Sequence, residues 1–154
     1  MLTLRKAEPC DIDDVRSIQA AAFQALLEKY ADVENPASET HEQLLRRLTQ
    51  RGQEIDLIVL DGASIGYLIL QERGEECVLI RIGVLPEYQG RGYGQQAILL
   101  AEALHPDATT WVRDTILQET KLCQLYEKLG YRDTGKREHI QEGMDLILYV
   151  KQRG

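Results

Sequence analysis

Cysteine is scarce in this sequence of 154 residues. Cys10, Cys77 and Cys123 are scattered singly, no CxxC pair exists and the count is odd. A disulfide framework is therefore not expected, and a reduced, cytoplasmic compartment is. Long apolar runs are lacking too. None approaches the roughly 20 residues that span a bilayer, and the briefly apolar start Met1–Leu4 gives way to Arg5, Lys6 and Glu8, unlike a signal peptide. No membrane partner is expected. Cationic excess is absent: 18 Lys and Arg face 25 Asp and Glu, a formal net charge of −7. That balance disfavours nucleic acid, which wants clustered Lys and Arg, and is compatible with a cationic partner such as an amine. His41, His105 and His139 stand apart from one another and from the cysteines, so no metal-ligand spacing appears and no metal is expected. His139, near a late strand, is a candidate to approach an acceptor cleft. The sequence has no internal repeat and no low-complexity tract.

What is present suits one globular domain over residues 1–154: 44% hydrophobic and 28% charged residues, enough apolar material for a core. Leu2–Arg5 reads as a strand. Asp11 is placed to cap a helix, with Asp13 and Asp14 in its first turn. Ile12, Val15, Ile18, Ala22 and Leu26 then mark one apolar helix face to about Lys29. Asn35-Pro36 signals a loop, and Thr40 with Gln43 forms a capping-box pattern for a second helix that Gly52 ends. Ile55–Leu60, Ile65–Leu70 and Cys77–Val84 follow as strands, turned at Asp61-Gly62 and Arg73-Gly74. A loop, Leu85–Arg91, feeds a helix over Gly92–Leu104, closed by His105-Pro106. A short strand is expected at Thr109–Val112 and a helix at Gln118–Leu129, with Gly130 as its left-handed cap. Two last strands are expected at Tyr131–His139 and Met144–Val150. The fold class is α/β, a mixed and mostly antiparallel central sheet with helices on both faces.

The chemistry lies where the strand ending at Val84 meets the glycine-rich turn Gln89-Gly90-Arg91-Gly92-Tyr93-Gly94. Glycines let the backbone approach a ligand closely, and free N–H groups at a helix start point at an anion that the helix dipole favours. Two phosphate-binding rivals fail on residues. A Walker loop needs Lys followed by Ser or Thr after its last glycine, and Gln95-Gln96 stand there; the dinucleotide fingerprint needs G-x-G-x-x-G, and the spacing here is G-x-G-x-G.

This segment resembles the Q/R-x-x-G-x-G/A pyrophosphate loop of the GNAT N-acetyltransferase superfamily. Val84-Leu85-Pro86-Glu87-Tyr88 is similar to that family's strand exit, and Leu125-Tyr126-Glu127-Lys128-Leu129-Gly130-Tyr131 to its "LYEKLGF" segment. The element order matches along essentially the whole chain. The resemblance implies acetyl-CoA as co-substrate, bound where the strand ending at Val84 splays from the parallel strand Thr109–Val112. The backbone of Ile82, Gly83 and Val84 would hold the pantetheine arm. Gln89, Gly90, Arg91, Gly92, Tyr93, Gly94 and Gln95 would hold the pyrophosphate, chiefly through the amides from Gly90 onward. It further implies direct attack of a neutral primary amine on the thioester, with Tyr126 as the general acid that protonates the departing thiolate.

Two departures accompany the resemblance. The family asparagine seven residues before the tyrosine is Glu119 here, which when ionised cannot donate the same hydrogen bond; Gln118 or Gln124 are substitutes to consider. The position of the family's strand glutamate is Val78. Glu76, two residues earlier on the same face, is the candidate base, with Glu75 as its neighbouring alternative. Arg81, between Ile80 and Ile82, has no assigned role. Tyr30, Asp32 and Glu34 occupy the loop that commonly helps form the family's acceptor site, and an acidic loop with one aromatic suits an amine. The acceptor could be a small molecule or a protein amine, and a homodimer is a further expectation because small relatives often pair. The rival reading is a non-catalytic acyl-CoA-binding regulatory module on the same fold.

Overall fold

The computed structural model describes residues 1–32 and 35–153. Its strands are β1 (Leu2–Lys6), β2 (Gln53–Leu60), β3 (Ala63–Arg73), β4 (Glu76–Val84), β5 (Thr110–Ile116), β6 (Arg132–Gln141) and β7 (Met144–Gln152). Its helices are α1 (Ile12–Tyr30), α2 (His41–Arg47), α3 (Tyr93–Leu104) and α4 (Thr120–Lys128). The strands form one sheet in the order β1-β2-β3-β4-β5-β7-β6. Every neighbouring pair is antiparallel except β4 with β5. The expected mixed α/β architecture is what forms.

Period-two alternation along the strands builds a core on each face. Leu57, Tyr67 and Ile69 face α1 and α2, packing with Ile12, Val15, Ile18 and Leu44. Their neighbours Ile58, Leu68 and Leu70 face α3 and α4, packing with Ala97, Ile98, Ala101 and Tyr126. Each fully buried aliphatic side chain stabilises the fold by about 1.5–3 kcal/mol relative to exposure. One glycine sets how closely α1 sits: a Cβ on Gly83 would lie 2.9 Å from Tyr67 Cε1 and 3.0 Å from both Ala22 Cβ and Phe23 Cε2.

Local signals settle most boundaries. Asp61 and Gly62 both have positive φ, at 49° and 87°, as the tight β2–β3 turn demands. Thr40 accepts from the Gln43 amide (3.2 Å) while Gln43 accepts from the Thr40 amide (2.8 Å), a complete capping box for α2. Gly130 follows α4 at φ 98°. Asp11 corrects one expectation. It makes no side-chain cap to α1; its carboxylate accepts from Arg5 and from the Glu8 amide, and these bonds hold it below the usual carboxylate range. A second correction is the length of β5, which runs to Ile116 rather than Val112.

Candidate active site

The cleft begins where β4 and β5 part. Their parallel register covers only Glu76↔Thr110, Cys77↔Trp111 and Val78↔Val112. Just beyond, β4 carries a bulge. Its register with β3 jumps from Arg81↔Ile69 to Leu79↔Leu70, leaving Ile80 without a partner. A regular strand turns successive carbonyls to opposite edges; an extra residue breaks that rule and bends the strand. Here the carbonyls of Leu79 and Ile80 face the same side chain. Arg113 Nη1 donates to both, at 3.2 and 2.8 Å. From Ile82 to Val84, β4 stays bonded to β3 but has no strand on its other edge. That open edge offers backbone donors and acceptors to an extended ligand.

At the strand's exit the Gln89 amide side chain folds back and donates to the Val84 carbonyl (2.8 Å). Gly90 and Gly92 take positive φ, 77° and 83°, which turns the chain into α3. The first bond into this helix runs from the Gln96 amide to the Gly92 carbonyl (3.1 Å). The amides from Gly92 to Gln95 therefore have no helical acceptor, and Gly92 provides no side-chain cap. Donors at the positive end of a helix dipole, lining a cleft, form a site for an anion.

The cleft has a volume of about 780 Å³. Ile82, Gly83, Val84, Gln89, Gly90, Gly92, Tyr93, Gly94 and Gln95 all line it, as does Tyr126. Arg91 does not; its guanidinium lies 5.9 Å from the centre of the Tyr88 ring. Tyr126 is 2% exposed. Its ring is wedged edge-on against Tyr131 and beneath the Arg113 guanidinium, which lies 5.4 Å from its centre. Its hydroxyl has no hydrogen-bond partner among the described residues.

Across the cleft mouth, Glu119 joins two elements distant in sequence. Its Oε2 accepts from Lys29 Nζ (2.7 Å) and from the Tyr30 hydroxyl (2.5 Å). These two bonds hold the carboxyl below its ordinary range. Gln141 donates to the Tyr30 carbonyl at 2.5 Å, so the end of α1 is tied to β6 as well as to the start of α4. Asp32 lines the cleft; Glu34 lies outside the described residues.

The sequence profile of the Acetyltransferase (GNAT) family matches residues 13–131. The chain belongs to this family. Among solved structures, it is similar to the PaiA N-acetyltransferase of Thermoplasma acidophilum in complex with coenzyme A, at 18% identity and a TM-score of 0.79 over 99% of both chains. It is also similar to the ribosomal-protein-S18-alanine N-acetyltransferase of Escherichia coli, at 19% identity and 0.77 over 99% of this chain and 94% of that one. A GNAT family acetyltransferase from Elizabethkingia anophelis with acetyl-CoA bound matches at 19% and 0.69, over 98% and 97%. At these identities the likeness shows the fold alone. No curated protein sequence matches the chain significantly. Membership of the GNAT family supports acetyl transfer as the chemistry of the cleft.

Not every candidate is brought to the GNAT cleft. Glu76, expected as base, pairs with Arg73 and Thr110 at the closed end of β4 and does not line the cleft. The physical reason is that the strands are still fully paired there. Arg81 lines the cleft, but its guanidinium is taken: it donates to Gln19 (3.0 Å) and pairs with Glu39, so it clamps β4 to the turn before α2. Gln118 is occupied by Asp145, in both directions, at 2.8 and 2.9 Å. Gln124 is not at the cleft. His41 pairs with Asp13 and His139 with Asp145, both near the surface.

Arg113 and Asp114 are among the lining residues that the sequence pattern does not bring to notice. The available signal was Trp111-Val112-Arg113-Asp114-Thr115, where the alternation of buried Trp111 and Thr115 carries the strand through the charges. His105 also proves less isolated than expected. Its Nε2 lies 3.1 Å from both Glu54 and Glu72, while Nδ1 faces the Ala101 carbonyl at 2.8 Å. These three side chains present ligand atoms within 4.8 Å of one another, a set that could hold a metal ion. Burial works against charging the ring, but the Ala101 carbonyl and Glu54 outweigh it and raise its pKa. The raised pKa favours the protonated ring between these two carboxylates. Beside it, burial and the Glu54 carboxylate push Asp56 up to about 7.

Proposed function

We propose that the protein is an acetyl-CoA-dependent N-acetyltransferase acting on a primary amine. The observation that carries this reading is the continuity of one cleft from the open amides at Gly92–Gln95, past the unpaired edge of Ile82–Val84, to Tyr126. The amides suit a pyrophosphate, and the strand edge suits the amide-bearing pantetheine arm. The thioester would then lie at the apex of the splay, near the bulge at Ile80. The acceptor would come from the α1 face, where Phe23, Leu26 and Asp32 line the cleft.

At the apex the amine nitrogen attacks the thioester carbon. The carbonyl electrons move onto oxygen, and their return expels sulfur with the C–S electron pair. Backbone amides near the bulge are placed to stabilise the oxyanion. The thiolate takes the proton of the free Tyr126 hydroxyl, and the tyrosinate recovers one from solvent. Asp114 is the carboxylate best placed for the amine's proton. It stands two residues beyond the last position at which β5 pairs with β4, level with Ile80, and is exposed in the cleft. It replaces Glu76 in that role.

The amine acceptor is a small molecule or an amine on a protein, and the test is direct. Acetyl-CoA binding is measured by calorimetry, and CoA release is followed with amines of both kinds. Binding with acceptor-dependent CoA release is expected. Binding without turnover on any amine would favour the non-catalytic acyl-CoA-binding module, and absence of binding would remove the donor site itself.

A further inference from the structure

Arg113 is a cation inside the fold with unspent donors. Nη1 is taken by the Leu79 and Ile80 carbonyls, at 3.2 and 2.8 Å. Nε is buried without a partner, and Nη2 makes no bond among the described residues. A guanidinium whose donors are not all paired, beside an open cleft, is left for an acceptor on a ligand to complete. The side chain lines the cleft at the apex of the β4–β5 splay, with its guanidinium against the face of Tyr126. The bulge makes this possible, because only there do two consecutive β4 carbonyls turn toward one donor.

Alternation along β5 separates Arg113 from Asp114. Arg113 points to the α4 face, where Tyr126 lies, and Asp114 to the α1 face. The other charged groups lining the cleft are Asp32, Arg81, Glu119 and Lys121. Glu119 pairs with Lys29, and Arg81 with Glu39, a carboxylate that Arg47 shares. Lys121 stands on the exposed side of α4.

We propose that Arg113 receives the sulfur of CoA, holding the departing thiolate against the guanidinium until Tyr126 protonates it. This rests on the acetyl-CoA reading of the cleft. As the amine forms its C–N bond and the C–S bond breaks, negative charge gathers on sulfur. A fixed cation in a site of low dielectric stabilises that charge more than it stabilises the neutral thioester. Arg113 therefore lowers the barrier to leaving-group departure, while the amine's proton goes to the other face of the strand.

The test needs no acceptor. CoA is bound to the protein, confirmed by calorimetry, and its thiol is titrated through the ultraviolet absorbance of the thiolate beside free CoA. Bound to the wild-type protein, the thiol should ionise about one pH unit or more below free CoA. Arg113→Met should return it to the free value, and Arg113→Lys should keep part of the shift. A merely structural arginine would not move this titration. Wild-type complex and free CoA titrating together would overturn the assignment without any variant. So would an unchanged shift in Arg113→Met. Failure of the wild-type protein to bind CoA is a separate outcome; it sinks the donor-site reading and this assignment with it.

Discussion

Gly94→Ala separates a glycine kept for the fold from one kept for a ligand. Gly94 sits in the first turn of α3, and its φ is not in the left-handed region. A Cβ there would meet only Val84 Cγ2, at 4.0 Å, an ordinary van der Waals contact. The free protein thus has no steric use for glycine at this position. Glycine in a helix costs about 0.5–1 kcal/mol relative to alanine through lost backbone entropy. The variant should accordingly be more stable without ligand, by about 0.5 kcal/mol after allowing for its position near the helix end. That corresponds to about 1–2 °C in Tm for a chain of this size. The same methyl group would stand among the open amides of the cradle, and should weaken CoA binding by about tenfold or more, about 1.4 kcal/mol. Differential scanning calorimetry without ligand and titration calorimetry with CoA read the two effects. Gly92→Ala is the contrast: its φ of 83° predicts a loss of about 1–2 kcal/mol in the ligand-free fold itself. A Gly94→Ala protein that gains stability and binds CoA unchanged would refute the pyrophosphate cradle.

Other outcomes follow from the same geometry. Tyr126→Phe should lower kcat by about a hundredfold while barely moving acetyl-CoA affinity; an unchanged kcat removes the hydroxyl from the reaction. Asp114→Asn should lower turnover near neutral pH by a similar factor, with recovery at alkaline pH where the amine is already neutral; a uniform loss at every pH would count against a proton-accepting role. Asp56, raised to about 7, holds its extra proton in the native state between about pH 4 and 7. Its stabilising effect is complete below that range and is lost as the pH rises through 7, and the raised His105 acts with the same sign. Asp56→Asn keeps the shape and a donor toward Glu54 but cannot ionise. Denaturant melts at about pH 5 and about pH 8 should show the variant losing about 1–2 kcal/mol less than the wild type between them. Parallel losses would mean that Asp56 ionises freely.

The legible parts of the sequence were those fixed by near neighbours. Asp61-Gly62, the Thr40–Gln43 box and the glycines at 90 and 92 each satisfy a backbone requirement within a few residues, so their types reveal it. The cleft's apex is different in kind. Ile80 bulges because β3 and β4 fall out of register, and no residue at the bulge announces that. Counting back along a regular strand therefore leads to Val78 and, two residues earlier on the same face, to Glu76, both where β4 and β5 are still paired. Arg113 and Asp114 look like the end of a strand because charges interrupt the apolar alternation. They continue it because β7 pairs with β5 as far as Ile116, a partner some 30 residues away in sequence. Nothing near Glu119 in the sequence announces its partners, because the Lys29 and Tyr30 at the end of α1 that hold it are some 90 residues away.

The distribution of nucleophiles bears on whether transfer is direct or passes through an acylated enzyme. A covalent route needs a thiolate or an activated hydroxyl at the apex. Cys123 is buried, with its Sγ directed at the Ile116 and Leu117 carbonyls. Burial pushes the Cys77 thiol up to about 12, and that residue is in the α3–α4 core. Cys10 is on the surface beside α1. No cysteine or serine is among the described residues that line the cleft. Thr115 is the one small hydroxyl among them, buried on β5, and no histidine is among the described residues lining the cleft to activate it. The splay makes a covalent relay unnecessary. Once β4 and β5 part, the sheet has a gap through which a donor held on the α3–α4 face can meet an acceptor on the α1 face. A ternary complex follows from that topology, so initial-rate plots against both substrates should intersect; parallel lines would require an acyl-enzyme for which these side chains provide no nucleophile.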